Sequence, residues 1–186
     1  HGVPGGFMSM LGMSFLSDII GKETNPAEIL QQLRKRVKAN LHQTGDFGVS
    51  QDGMDISVCV IDERTKHMVY AGAYNSVVIV RKGEMYELKA DKMPIGVHPR
   101  DKNSFTNKEF DLCSGDFVYS FTDGYADQHG GEILSRYSMQ RFKERLTELS
   151  ALSMEEQKKE LLRDLSEHQG AYPQTDDILV VGFRVS

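Results

Sequence analysis

The chain has 186 residues, a formal net charge of −5 and a hydrophobic content of 39%. These values favour a single globular domain that spans residues 1–186. It has no block of basic residues that could neutralise a phosphate backbone, so we expect no nucleic-acid partner. No apolar run reaches the roughly 18 residues that a membrane-spanning helix requires. These properties exclude a nucleic-acid-binding protein and a polytopic membrane protein as first hypotheses.

The chain contains two cysteines, Cys59 and Cys113, which lie in strand-like runs without a short spacing between them. A zinc site would need further ligands, and buried free thiols are typical of the reducing cytosol. We therefore expect two buried, unpaired thiols in a cytoplasmic protein.

Two helices are predicted at the start of the chain. Apolar residues recur at helical spacing from Gly5 to Ile20, around nearly the whole circumference, which predicts a helix buried against a sheet. A second helix is predicted from Asn25 to about His42, because a cap residue is followed by a proline and then by Glu28. A solvated basic face is favoured over a binding patch for four residues of this helix, Arg34, Lys35, Arg36 and Lys38.

The middle of the chain is predicted to form antiparallel strands separated by short turns. Alternating side chains predict the first strand over Met54 to Ile61, and Lys82-Gly83 is typical of a tight hairpin turn. A strand of mixed polarity at residues 104–112 is expected either at a sheet edge or with only one side buried. Loops are predicted at residues 43–53 and 90–103, and the other strands at residues 67–72, 77–81, 85–89 and 117–122.

Two helices and one strand complete the predicted elements. A loop after the strand at residues 117–122 is followed by helices at residues 138–149 and 153–167. The second of these helices has a capping box formed by Ser153 and Glu156, and the last strand is predicted at residues 178–185. Because helices and strands are segregated and successive strands form hairpins, the fold class is predicted to be α+β, with helices packed on antiparallel sheets.

Two short motifs with acidic residues lie beside predicted strands. Asp123 and Gly124 follow one apolar run, and Asp176 and Asp177 precede the last strand. A carboxylate at the end of a buried strand requires a cation or a dense shell of hydrogen bonds. If the two strands are neighbours, the carboxylates meet, and oxygen ligands favour Mg²⁺ or Mn²⁺ over zinc. The alternative is that each aspartate caps a turn or loop, and the residues alone favour neither interpretation.

Four stretches of the chain occur in an order that resembles a known family. They are the segments His1–Leu11, Tyr70–Asn75, Phe121–Gly124 and Gln174–Val181. The first resembles the family segment Gly-His-Gly-Val-Pro-Ala-Ala-Phe, the second Ala-Gly-Ala-(His/Asn), the third Tyr-Thr-Asp-Gly, and the fourth Asp-Asp-(Met/Ile)-Thr. In this order they resemble the metal-dependent protein phosphatases (the PPM, or type-2C, superfamily), and more narrowly the bacterial SpoIIE-like serine phosphatases of partner switching and two-component regulation.

The resemblance implies an antiparallel β-sandwich flanked by helices in α-β-β-α layers, with a two-metal Mn²⁺ or Mg²⁺ site. It implies that Asp123 and Asp176 are the metal ligands and catalytic residues, with a supporting role for Asp177. At Gly124 the backbone would pass close to the site. Weaker candidates are Asn75 and Asp127. The implied reaction is hydrolysis of phospho-Ser or phospho-Thr on a regulatory protein by metal-activated water, without a covalent enzyme intermediate.

The resemblance also implies partners and leaves alternatives open. The substrate would be a phosphoprotein such as an anti-sigma-factor antagonist, and the parent chain would carry N-terminal regulatory or sensor domains that could anchor it to a membrane. The alternative function is a non-catalytic sensor or scaffold domain in bacterial signalling that keeps the PPM fold. A solute-binding or carbohydrate-active module has little support, because tryptophan is absent.

One departure from the family pattern lies at the first residue. In the family, an aspartate just upstream of the Gly-His-Gly segment bridges both metals, whereas this chain begins at His1. We therefore expect an N-terminally truncated domain that binds Mn²⁺ weakly and has little phosphatase activity. Loss of strands would also expose a sheet edge and an apolar face, which favours a homodimer.

Overall fold

The computed structural model describes residues 2–43, 53–98, 104–131 and 133–186. The chain separates into two compact units, His1–Ser76 with Leu88–Leu112, and Val77–Glu87 with Cys113–Ser186. Each unit is described on its own. Most of the loop predicted at residues 43–53, the end of the loop predicted at 90–103, and His1 lie outside the described residues.

The first unit begins with two helices, α1 at Gly2–Ile20 and α2 at Pro26–Asn40. The predicted cap of α2 is confirmed, because the Asn25 side chain accepts a hydrogen bond from the backbone N–H of Glu28 at 3.2 Å. The apolar face of α2 is buried in the core of this unit through Ile29, Leu30, Leu33 and Val37.

The prediction that α1 is a helix buried against a sheet is wrong for much of its surface. One stripe that includes Ile19 is buried, but Phe7 is 71% exposed and Met10 is 68% exposed. Helix α2 packs against α1, and the Met54 side chain lies against Gly12 of α1. Because neighbours on one side cover only one stripe of a helix, an apolar circumference does not by itself predict burial.

Arg34 departs from the solvated basic face predicted for α2. It is buried, and its Nε donates to the carbonyl oxygen of Gly96 at 2.9 Å. Its position explains the difference, because Arg34 lies three residues before Val37 and therefore at the border of the apolar stripe. Of the other three basic residues of the set, Lys35 is exposed, and Arg36 and Lys38 are partly exposed.

The sheet of the first unit has three antiparallel strands in the order β1-β2-β5. They are β1 at Ile56–Ile61, β2 at His67–Ala73 and β5 at Lys108–Asp111. The turn between β1 and β2 is stabilised by the Asp62 carboxylate, which accepts hydrogen bonds from the backbone N–H groups of Arg64 and Thr65. The edge position predicted for β5 is confirmed.

The second sheet has four strands in the order β4-β3-β6-β9. They are β3 at Val77–Arg81, β4 at Glu84–Leu88, β6 at Phe117–Phe121 and β9 at Val180–Arg184. The hairpin turn between β3 and β4 is confirmed, since both Lys82 and Gly83 have positive φ, as a two-residue turn of this kind requires. The last strand starts at Val180, two residues later than predicted.

Helices of the second unit pack on this sheet. They are α3 at Gly124–Asp127, α4 at Met139–Leu149 and α5 at Met154–Gln169, and a small two-stranded ribbon pairs β7 at His129–Gly130 with β8 at Ser135–Arg136. The predicted loop after Asp123 therefore contains a helical turn and this ribbon. The capping box of α5 is confirmed through Ser153 and Glu156. Phe142 of α4 stacks on Tyr125 and fills the core.

The α+β prediction, with antiparallel sheets and packed helices, is confirmed. Within the described ranges, no helix combines the length and apolar character needed to cross a membrane. Both cysteines are free, but the prediction that both are buried is wrong: Cys113 is exposed, and Cys59 is only partly buried. Cys113 is exposed because β5 ends at Asp111 and the thiol lies in the turn before β6.

Candidate metal centre

Two neighbouring strands bring the predicted acidic residues to one end of the second sheet, where β6 ends and β9 begins. Phe121 at the end of β6 pairs with Val180 at the start of β9 in an antiparallel register. Asp123 follows β6 after one residue, Thr122, and Asp176 precedes β9 in the segment at residues 173–179, which we call the acidic loop. The strands beside Asp123 and Asp176 are therefore neighbours, as the hypothesis of a shared metal site requires.

The electrostatics of Asp123 reflect this arrangement. Asp123 is an exposed residue, so its carboxylate is less buried than a position beside a buried strand suggested. Partial desolvation nevertheless raises the pKa of its carboxyl above the ordinary value of 3.8, and the negative charges of Asp176 and Asp127 raise it further. The charged form of Asp123 is thus disfavoured in the metal-free protein, whereas a divalent cation at the site would favour it. The oxygen-only donors fit Mn²⁺ or Mg²⁺. Within the described residues, no group of three or more His, Cys, Asp or Glu side chains is placed to hold a metal.

Thr122 attaches the end of the acidic loop to β6. Its Oγ1 donates to the carbonyl oxygen of Asp177 at 3.0 Å and accepts from the backbone N–H of Leu179 at 3.0 Å. Its own backbone N–H donates to the carbonyl oxygen of Leu179, also at 3.0 Å. These bonds extend the pairing of β6 and β9 by side-chain contacts and hold the main chain of Asp177 beside Asp123.

Gly124 permits the close approach of the acidic loop. A Cβ at this position would lie well inside contact distance of the Asp177 carbonyl oxygen and 2.9 Å from the carbonyl carbon. The φ angle of Gly124 is not in the left-handed region, so space rather than backbone conformation demands glycine here. The first residue of α3 and the loop that carries Asp176 are therefore in direct main-chain contact.

Gln128 attaches the beginning of the acidic loop. The residue is fully buried, and its Nε2 donates to the carbonyl oxygens of His129 at 2.9 Å and Pro173 at 3.0 Å. Its Oε1 accepts from the backbone N–H of Thr175 at 3.3 Å, while Thr175 Oγ1 donates to the carbonyl oxygen of Asp127 at 3.4 Å. Sequence reasoning missed Gln128, because a glutamine in a polar segment carries no periodic or motif signal.

The remaining candidate residues have distinct surroundings. Asp177 is exposed, and its backbone N–H donates to Asp176 Oδ1 at 2.6 Å. Asp127 ends α3 and accepts from Arg136 Nη1 at 3.2 Å. Asn75 belongs to the first unit, where its carbonyl oxygen accepts from the Tyr70 hydroxyl at 2.6 Å. The roles predicted for these residues as ligands or supports remain predictions.

Known proteins share this fold and sequence pattern. The family described as Stage II sporulation protein E (SpoIIE) matches residues 1–186. The solved SiaA-PP2C domain of Pseudomonas aeruginosa is 30% identical with a TM-score of 0.86, and the match covers 100% of this chain and 72% of that chain. No curated protein matches the chain significantly.

Two more distant solved structures share the fold. For the PP2C phosphatase domain with a fragment of the regulatory domain of SpoIIE from Bacillus subtilis, identity is 17% and the TM-score is 0.72, with 100% of this chain and 51% of that chain covered. The PPM Ser-Thr phosphatase MsPP from Mycobacterium smegmatis is 14% identical with a TM-score of 0.59, and the match covers 100% of this chain and 85% of that chain. The match over the whole length confirms the resemblance found in the sequence: the chain belongs to the SpoIIE family of PP2C-type phosphatase domains, within the PPM superfamily.

Proposed function

We propose that this chain is a single metal-dependent phosphatase domain that hydrolyses phospho-Ser or phospho-Thr on a regulatory protein. The observation that supports the proposal is that Asp123 and Asp176 follow and precede two paired strands, close enough for the charge of Asp176 to raise the pKa of Asp123, in a chain of a phosphatase family. One relative with the same fold is named a Ser-Thr phosphatase.

Asp123 and Asp176 would hold Mn²⁺ or Mg²⁺. The raised pKa of Asp123 supports this role, because two carboxylates that repel each other gain from a shared cation. The phosphatase domain of SpoIIE from Bacillus subtilis, 14% identical with a TM-score of 0.54, is also described after presoaking with Mn. When bound, such a metal pair supplies a coordinated water of lowered pKa and stabilises charge on the transferred phosphoryl group.

The residues of the chain have separate parts in this proposal. Asp123 and Asp176 bind the cation through carboxylate oxygens, and Gly124 leaves room for the acidic loop to approach. Asp177 supports Asp176 through its backbone N–H. Nucleophilic catalysis by a thiol has no support, since Cys113 lies at the opposite end of β6 from Asp123.

We further propose a cytoplasmic setting in bacterial signal transduction. The substrate would be a phosphoprotein of a partner-switching system, such as an anti-sigma-factor antagonist. One solved relative includes a fragment of a regulatory domain beside its phosphatase domain, and by analogy regulatory or sensor domains would control this one. A homodimer, expected from the sequence, is part of the same proposal.

A second candidate function is a non-catalytic sensor or scaffold domain of the same fold. The observation that favours it is the small donor set, because the described residues contain no group of three acidic, His or Cys side chains placed around one metal. The two functions differ in a single measurable property, which is metal-dependent turnover.

The test is phosphatase activity of the full-length protein with and without Mn²⁺, on p-nitrophenyl phosphate and on a phosphoserine peptide. Asp123→Asn and Asp176→Asn keep the side-chain shape but remove a charged ligand, and each should lower kcat by more than about 100-fold. Asp111→Asn is the matched control, because Asp111 is an exposed aspartate of β5 in the other unit. Absence of Mn²⁺-dependent turnover in the wild-type protein would favour the scaffold.

A further inference from the structure

We propose that Gln128 and Thr122 are positioning residues, which hold the acidic loop so that Asp176 stays beside Asp123 and the two carboxylates bind one cation together. The inference rests on the proposed function, because it assigns the residues that maintain the geometry of the same site. It adds two uncharged side chains that would touch neither metal nor substrate.

The acidic loop has little burial of its own to fix its position. It has no regular secondary structure before β9 starts at Val180, and most of its residues are exposed. Ile178 alone packs against the core of the second unit. A segment with so few apolar contacts opens locally at low cost unless directed hydrogen bonds hold it.

Hydrogen bonds hold both sequence neighbours of Asp176. On one side, the backbone N–H of Thr175 donates to Gln128 Oε1. On the other side, the carbonyl oxygen of Asp177 accepts from Thr122 Oγ1. Asp176 therefore lies between two fixed points of the main chain, so its carboxylate position depends on both contacts.

The two holding residues are on the segment that carries Asp123. Thr122 is its immediate neighbour, and Gln128 directly follows α3, which starts one residue after Asp123. We call residues 122–128 the frame. Asp123 belongs to the frame itself, and Asp176 is connected to it by the hydrogen bonds of Gln128 and Thr122 to its two sequence neighbours. Movement of the loop relative to this frame would separate Asp176 from Asp123.

Gln128 is itself firmly anchored. Its carbonyl oxygen accepts from the backbone N–H of Tyr137 at 2.9 Å and from His168 Nε2 at 3.2 Å. His168 is a buried residue near the end of α5, so this hydrogen bond connects Gln128 to that helix. A buried amide with both its oxygen and its nitrogen bonded specifies one geometry, because any displacement leaves polar groups unpaired.

The experiment compares Gln128→Met and Thr122→Val with Gln157→Met. Each substitution keeps the approximate shape and removes side-chain hydrogen bonds. Gln157 is the matched control: it is equally buried, it accepts from the Tyr119 hydroxyl at 2.6 Å and donates to the carbonyl oxygen of Leu152 at 3.1 Å, and neither partner is in the acidic loop. Mn²⁺ affinity is measured by electron paramagnetic resonance titration of the metal-free protein at a temperature where every variant is folded.

We expect all three variants to have lower melting temperatures, but only Gln128→Met and Thr122→Val to bind Mn²⁺ more weakly, by about 10–100-fold. Amide hydrogen exchange without metal should also accelerate at Thr175 in the first variant and at Leu179 in the second. If Gln128→Met does not fold, Thr122→Val carries the test, because its side chain is only partly buried and isosteric with the original.

Two results would overturn the inference. One is wild-type Mn²⁺ affinity and wild-type exchange in both folded variants, and the other is an equal loss of affinity in Gln157→Met. Failure of the proposed function has a different signature: the wild-type protein would bind no Mn²⁺, or Asp123→Asn would bind it as tightly as the wild type. In that case the exchange rates alone decide whether Gln128 and Thr122 hold the loop.

Discussion

Replacement of Gly124 by alanine should disrupt the candidate site without removal of any polar group. The added Cβ would lie 2.9 Å from the carbonyl carbon of Asp177 and 3.2 Å from Ile178 Cγ1, whereas carbon atoms prefer separations of about 3.5–4.0 Å. The nearest groups belong to the main chain of the acidic loop and cannot rotate away. The loop must therefore move by roughly 0.6–1 Å.

Two effects determine the size of the change. Overpacking of this kind typically costs about 1–3 kcal/mol, and displacement of the Asp177 carbonyl weakens its hydrogen bond from Thr122, which contributes about 1 kcal/mol. A total of about 2 kcal/mol lowers the melting temperature of a chain of this size by roughly 4–8 °C. The shift of Asp176 should also weaken Mn²⁺ binding by about 10-fold or more.

The assay is thermal unfolding of Gly124→Ala with a Mn²⁺ titration of the folded protein. Gly6→Ala is the matched control, because Gly6 lies inside α1 and a Cβ there would meet nothing within 4 Å. Alanine is the better helix former, so this control should be more stable by about 0.5–1 kcal/mol. If Gly124→Ala were as stable as the wild type and bound Mn²⁺ equally well, close approach of the acidic loop could not be the reason that this position requires glycine.

Three further predictions concern charges and thiols. In the metal-free protein, Asp123→Asn should raise the free energy of unfolding at neutral pH and lose this advantage below the ordinary pKa of 3.8. The reason is that a carboxyl with a raised folded-state pKa costs stability once it ionises. Urea unfolding at neutral pH and below pH 3.8 measures the difference. The pKa shift of Asp116 has the opposite sign. Burial alone would raise the pKa, but Arg81 and the backbone N–H of Cys113 lower it overall. The ionised Asp116 therefore stabilises the fold above pH 3.8, and this stabilisation is lost as pH falls through the folded-state pKa. Asp116→Asn should cost about 2 kcal/mol at neutral pH, with no penalty in strong acid. Burial raises the pKa of Cys59 from 9.0 to about 11, so iodoacetamide at pH 8 should modify the exposed Cys113 first and Cys59 about 100-fold more slowly than an ordinary thiol; equal rates would contradict this.

The sequence predicts helix boundaries well where the signal is local. The caps of α2 and α5 act between residues three apart, as the bonds of Asn25 to Glu28 and of Ser153 to Glu156 demonstrate. The hairpin at Lys82 likewise depends on two adjacent backbone conformations. Such elements lie within one to two residues of their predicted ends, because a few neighbouring side chains determine them.

Features that depend on distant partners could not be predicted in the same way. The exposure of Phe7 depends on which elements cover α1, and the burial of Arg34 depends on a carbonyl group 62 residues away in the chain. The two predicted metal ligands were identified through motif order, and their proximity follows from the pairing of β6 with β9. Gln128 lacked any such motif, and only its hydrogen bonds to the acidic loop reveal its importance.

The two ends of β6 show how the same fold treats a carboxylate in two ways. At its start, Asp116 is buried and paired with Arg81, whose Nη2 donates at 2.7 Å, and its charge is neutralised inside the protein. At its end, the hydrogen bonds that hold the acidic loop come from the uncharged side chains of Gln128 and Thr122. Gln128 and Thr122 fix the position of the loop without adding a positive charge to it. This arrangement agrees with the proposal that a divalent cation, rather than an arginine such as Arg81, binds at this end of the sheet.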